Sequence, residues 1–312
     1  MKTIDWPRHL ATMRRTLAAS KRVVILVVCL LIVVVGLVVV TSFAHQKSCA
    51  KKAVQALPEK YRSFATQVGR INKHMIRTGE PEYANLSTKV VDLYKRTEMQ
   101  NPGWTTRYFS AAQRRQFICK HFDKKVVCAY DRLLPNSYRA DLFRFCAVWR
   151  LGGMYADFSV DFLVKLDSLI DCTNDALVLC HDRPSGQHAQ MCTGFFAARP
   201  KHTMIGMCID KIVANVERRF MGINALHPTG PLMMRNVFDQ FQQQNPMDGI
   251  RIELAYCKEN VAARIDQMDK PVINFKSDFH NTAVTADNTP RQSYTQMWMA
   301  RNVYTTDQLA AC

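Results

Sequence analysis

No Cys-x-x-Cys pair occurs among the 11 cysteines, so a structural zinc site has little support. No internal repeat and no low-complexity tract stands out, and a single catalytic domain is the economical count. Acid is scarce, with 26 Asp and Glu against 42 Lys and Arg for a formal net charge of +16. The basic residues are nevertheless scattered among acids rather than gathered in one run, which argues against nucleic acid as a partner. An anionic ligand or a lipid surface suits the excess better. With 48% hydrophobic residues in 312, the chain has ample material for a packed core.

Charge is missing altogether from residues 23–44, a run of 22 residues that exceeds the ~20 a spanning helix requires. A cleaved signal peptide is the competing reading, because Ser42-Phe-Ala44 could pass as a cleavage site, but the leading charged segment and the apolar run are both too long for one. Lys2, Arg8, Arg14, Arg15, Lys21 and Arg22 precede the run and only Lys47, Lys51 and Lys52 follow it closely. The positive-inside bias therefore predicts a cytosolic tail at 1–22, an anchor at 23–44, a polar stem at 45–82 and a lumenal domain at 83–312. Setting aside the first 40 residues leaves 36 Lys and Arg against 25 Asp and Glu, so the domain stays basic. In an oxidising lumen several cysteines could pair, although Cys146 reads as a buried thiol, and Asn85-Leu-Ser87 would be a glycosylation acceptor.

The most informative stretch is 138–161. From Arg139 to Leu151 apolar residues recur at helical spacing, and Gly152-Gly153 supplies a stop. Met154 to Val160 then alternates with period two, placing Tyr155, Asp157, Ser159 and Asp161 on one side of a predicted strand and Met154, Ala156, Phe158 and Val160 on the other. A carboxylate row after a glycine pair suits a divalent cation bridging a diphosphate; an edge strand with solvated aspartates fits the same pattern.

Around that stretch the pattern predicts a short strand at Lys89 to Tyr94, helices at Ala111 to Phe122 and Lys124 to Leu134, and strands at Ala176 to Cys180 and Thr193 to Ala197, with Gly194 admitting a ligand or a bulge. A scaffold helix over His202 to Phe220 and a helix from Leu232 to Phe241, capped by Thr229 with Pro231 near its first position, follow. Late strands fall at Ile250 to Leu254 and Val272 to Phe275, the second leading to His280, a candidate metal ligand. The alternation predicts an α/β fold, a sheet layered with helices.

Arg139-Ala-Asp-Leu-Phe-Arg144 followed by Gly152-Gly-Met-Tyr-Ala-Asp157 resembles the signature of glycosyltransferases with a DXD-type sugar-binding region, the family 32 enzymes that include initiating α-mannosyltransferases. Asn101 to Trp104, Arg107 to Phe109, Phe117 to Phe122, Thr229 to Pro231 and Trp298 to Tyr304 resemble other segments of that family. The resemblance implies a GT-A-like, Rossmann-type nucleotide-sugar-binding domain with a mixed central sheet. It further implies a nucleotide-diphosphate sugar donor, a glycan or glycolipid acceptor, retention at the anomeric carbon, Mn²⁺ or Mg²⁺ as cofactor, and a Golgi or ER membrane location. Carried over residue by residue, Asp141, Arg144 and Asp157 are the catalytic set. Tyr138, Arg139, Gly152, Gly153, Tyr155, Ser159, Thr229 and Gly230 bind substrate, and Asp157 holds metal, with His280 or Asp161, candidates by their own chemistry, completing its shell.

One departure stands out: Ser159 occupies the position of the second DXD carboxylate, and a hydroxyl is a far weaker ligand for such a cation. Asp161 substitutes for it only if the chain bends, because four residues of ideal strand span ~13 Å. The serine keeps open a non-catalytic relative that binds a sugar nucleotide or glycan. A glycosidase using Asp157 and Asp161 has the residue types but gives no reason for the arginine and glycine elements.

Overall fold

The computed structural model describes residues 70–183, 190–244, 250–256, 261–275 and 293–305. Among them no helix is long and apolar enough to cross a membrane; the run at 23–44 lies outside the described residues, as do Cys49, Cys257, His280 and Cys312.

In chain order the elements are β1 (His74–Thr78), α1 (Thr88–Gln100), β2 (Thr105–Phe109), α2 (Ala111–His121), α3 (Lys124–Arg132), α4 (Asn136–Leu151), β3 (Gly153–Ala156), β4 (Asp161–Phe162), α5 (Leu166–Leu169), β5 (Leu177–Arg183) and β6 (Gln190–Ala198). Then come α6 (Thr203–Glu217), α7 (Pro231–Gln244), β7 (Ile250–Tyr256), β8 (Val261–Arg264), β9 (Gln267–Asn274) and α8 (Tyr294–Met299). The strands form one mixed sheet in the order β2-β1-β3-β6-β5-β7-β8-β9-β4. β1 runs parallel to β2 and β3, β6 lies antiparallel between β3 and β5, and β4 pairs with β9. The sheet is thus the mixed α/β arrangement expected.

Both faces of this sheet are covered. Tyr155, Phe196 and Leu179 join a core built with α2, α3, α4, α6 and α7, while Met154, Ala156, Phe195 and Cys180 face a second core with Phe162, Leu166 and Ile273. Strands covered on two sides read as apolar runs, which is why β6 is buried at every position. Cys146 is a buried thiol in the first core, as its place on the helix predicts.

The structure corrects several local expectations. Lys89 to Tyr94 is helical, part of α1: its valines suggested a strand, but Val90, Leu93, Tyr94 and Thr97 bury one face at three- and four-residue spacing. Strand β1 lies inside the segment read as a stem, so the sheet begins with His74. The strand expected through Val160 ends at Ala156, and residues 157–160 form a turn closed by Val160 N–H donating to the Asp157 carbonyl at 3.0 Å. Thr229 does not cap α7, which starts at Pro231; its hydroxyl donates to Asp141 instead.

Candidate active site

Helix α4 is the scaffold of the site. It packs on β1, β3 and β6, and its i,i+3 spacing sets Asp141 and Arg144 side by side at the end where β3 delivers Asp157. The Arg144 guanidinium joins the two carboxylates: Nη2 lies 3.0 Å from Asp141 Oδ1 and Nη1 3.3 Å from Asp157 Oδ1. Nη1 also donates to the Thr193 carbonyl at 2.6 Å, and the guanidinium stacks 4.6 Å from the centre of the Tyr155 ring. Burial works against its charge, but Tyr155, Asp157 and Asp141 outweigh that and hold its pKa above the ordinary value.

The two carboxylates differ in access. The Asp141 side chain is 12% exposed and that of Asp157 43%, so Asp157 is the open one. Burial raises the Asp141 pKa, opposed by Arg144 and by the Thr229 hydroxyl, which donates to its Oδ2 at 2.7 Å. The buried Tyr155 hydroxyl, its pKa pushed up by burial, donates to Asp157 Oδ1 at 2.8 Å. The other oxygen, Oδ2, rests on Gly194: a β-carbon there would stand 2.7 Å from it. Gly194 therefore admits the Asp157 carboxylate, and its carbonyl accepts from the Asp157 amide at 2.9 Å.

Other expected site residues lie elsewhere or act differently. Gly152 ends α4 and Gly153 starts β3, the latter four residues or ~13 Å of strand from Asp157. Both have positive φ, and side chains there would run into Pro200 and the His74 carbonyl, so they serve the close helix-to-strand turn. Tyr138 donates to the Ala225 carbonyl at 2.6 Å, bracing the loop that carries Thr229 and Gly230 beside Asp141. Arg139, two positions before Asp141 and so on the other side of the helix, donates to the Leu133 carbonyl and lines a separate cavity of about 570 Å³ with Arg114, Arg115 and Asn136.

Ser159 is buried and donates to the Phe275 carbonyl at 3.0 Å, and Asp161 pairs with Arg96 at 2.8 Å. The bend after Asp157 exists, and beyond it the carboxylate of Asp161 turns to Arg96 rather than joining the Arg144 fork. Among the described residues no group of three or more His, Cys, Asp or Glu could enclose a metal ion, and His280 lies outside them. A single open carboxylate suits a cation shared with a diphosphate, the way Mg²⁺ commonly binds, rather than one caged by protein.

Two residues that sequence reasoning missed hold the Asp157 turn. Arg77 on β1 donates through Nη1 to the carbonyls of Asp157 at 3.0 Å, Phe158 at 3.4 Å and Val160 at 2.9 Å, and Tyr94 on α1 donates to the Phe158 carbonyl at 3.1 Å. Neither carries a signal in sequence, because one falls in a presumed stem and the other in a presumed strand.

Residues 87–175 match the family model described as a glycosyltransferase sugar-binding region containing a DXD motif. Among solved structures, the chain is similar to PaToxG glycosyltransferase at 18% identity and a TM-score of 0.41, over 66% of this chain and 80% of that one. It is also similar to a glycosyltransferase involved in the glycosylation of the major capsid of PBCV-1, at 12% identity and a TM-score of 0.35, over 57% of this chain and 80% of that one. A search of curated protein sequences finds no match. Asp141, Arg144 and Asp157 all fall within the residues matched to this sugar-binding region, and the match supports a glycosyltransferase.

Proposed function

We propose that this enzyme moves a sugar from a nucleotide-diphosphate donor to a hydroxyl of a glycan or glycolipid, using a GT-A-like domain. The observation that carries the reading is the Asp141–Arg144–Asp157 fork, built on one helix and one strand end inside the matched region. In this reading Asp141 and Arg144 orient donor hydroxyls, and Asp157 faces the diphosphate end of the donor. The bond from the anomeric carbon to the phosphate oxygen breaks, a bond to the acceptor oxygen forms, and the acceptor proton is taken up by the departing nucleoside diphosphate or by water. A family 32 relationship, retention at the anomeric carbon and a type II anchor in a Golgi or ER membrane belong to the same proposal, supported by the motif and by the apolar run at 23–44.

Mn²⁺ or Mg²⁺ is part of the reading, with Asp157 as the protein ligand. Bound there, the cation would offset the negative charge that builds on the leaving diphosphate.

The test is a panel of nucleotide sugars assayed for hydrolysis and for transfer to glycan acceptors, with and without Mn²⁺. Turnover of one donor that Asp157→Ala lowers by roughly 100-fold or more, without abolishing it, supports transfer. Donor binding without turnover on any acceptor replaces this reading with a binding protein, the outcome the serine at position 159 favours.

A further inference from the structure

Beneath the Asp157 turn lies a full positive charge with no carboxylate beside it. Arg77 is 0% exposed, and among the described residues no acid stands within ion-pair distance of its guanidinium. Its partners are the three turn carbonyls, the Met75 sulfur, and the faces of Tyr94 at 4.5 Å and Phe162 at 5.8 Å. Burying a charge in this way is expensive, and an apolar side chain of similar volume would fill the same space at lower cost. What an apolar residue lacks is donors, and Nη1 spends its hydrogens on carbonyls from the one segment that presents Asp157. Arg77 also lies outside the residues matched to the sugar-binding region.

We propose that Arg77 is a positioning residue for sugar transfer: it fixes the 157–160 turn and so holds the Asp157 carboxylate in reach of Arg144 and Tyr155. The turn has no sheet ladder of its own between β3 and β4, so its free carbonyls need donors from elsewhere. Three elements supply them or tie the turn down. Arg77 comes from β1, Tyr94 from α1, and Ser159 reaches to the end of β9. Arg77 makes the most bonds and is the one that grips the Asp157 carbonyl itself. Displacing a reacting group by about 1 Å costs on the order of 100-fold in rate, so a loosened turn reads out strongly in activity.

This inference rests on the glycosyltransferase reading, and two measurements on the full chain keep them apart. The first is donor hydrolysis by wild type, Arg77→Gln, Asp157→Asn and the double variant, per folded molecule. Arg77→Gln is expected to lower kcat/KM by roughly 10- to 100-fold alone and by under about two-fold in the Asp157→Asn background, because its effect passes through Asp157. Equal losses in both backgrounds overturn the proposal. The second is amide hydrogen exchange over residues 157–162, which is expected to quicken in Arg77→Gln; unchanged exchange overturns it. A wild type inert toward every donor defeats the transferase reading, and the exchange result then decides the role of Arg77 by itself. If Arg77→Gln fails to fold, Tyr94→Phe, which removes only the bond to Phe158, is put through the same two measurements with the same criteria.

Discussion

Gly194→Ala should cripple catalysis while leaving the fold intact. The backbone at 194 is outside the positive-φ region, so alanine adopts it without strain. The added methyl would lie 2.7 Å from Asp157 Oδ2, against an ordinary contact from 3.4 Å, so the carboxylate must retreat by about 0.7 Å. It cannot do so freely, because Oδ1 is held by Tyr155 at 2.8 Å and by Arg144 at 3.3 Å. If a 1 Å error costs on the order of 100-fold, the variant should lose roughly 10- to 50-fold in kcat/KM for donor hydrolysis. Stability should move by under about 1 kcal/mol, since replacing a strand glycine gains about 0.5–1 kcal/mol that the tight contact offsets. Steady-state kinetics on the best donor of the panel, with urea melts alongside, test both halves. Kinetics within two-fold of wild type would refute the claim that Gly194 exists to seat Asp157.

Tyr155→Phe keeps the ring under Arg144 but removes the donor to Asp157; kcat/KM should fall by about 5- to 10-fold with a melting change under about 1 kcal/mol, because the exposed carboxylate can recruit water. Asp141 is held above its ordinary 3.8 by burial, so the folded chain keeps a proton that the unfolded chain sheds, and stability falls as pH rises from there to the raised value. Asp141→Asn should therefore gain stability relative to wild type as pH is raised from about 4 toward neutrality, while losing activity, as urea midpoints across that range will show. Burial, with help from Arg199, pushes the His202 imidazole down to about 3 from 6.5, so the folded chain refuses a proton the unfolded chain accepts. Stability is then lost as pH drops below 6.5, by roughly 2 kcal/mol at pH 5, and His202→Leu should flatten that slope in chemical denaturation at pH 5 and 7.

What was legible in the sequence is what rests on local pattern. Helix α4, its glycine stop and strand β3 follow from periodicity and from two residues that tolerate positive φ. The motif located Asp141, Arg144 and Asp157, and the Asp141–Arg144 half of their fork follows from i,i+3 spacing on one helix. What was illegible depends on contacts distant in sequence. Thr229 meets Asp141 across 88 positions and Arg77 meets the turn across 80 to 83, so neither partnership leaves a spacing to read. The glycine pair was ambiguous because its freedom at positive φ serves a tight turn, as it does here, as well as a ligand. Lys89 to Tyr94 misled because β-branched residues mark strands only weakly when tertiary burial favours a helix.

The serine at 159 makes physical sense once its partner is known. Its side chain faces the Phe275 carbonyl, an acceptor, in a site where it is only 4% exposed. A hydroxyl donates there; an ionised carboxylate can only accept, and would set negative charge against a carbonyl dipole without water to screen it. The second motif position is therefore not a metal ligand waiting to be restored, because the backbone it points at selects a donor. The turn that a second acid would have occupied is instead fastened from three sides, by Arg77, Tyr94 and Ser159 itself. Asp157 then stands as the one open carboxylate of the segment, and its placement, more than the number of acids beside it, is what this site has to secure.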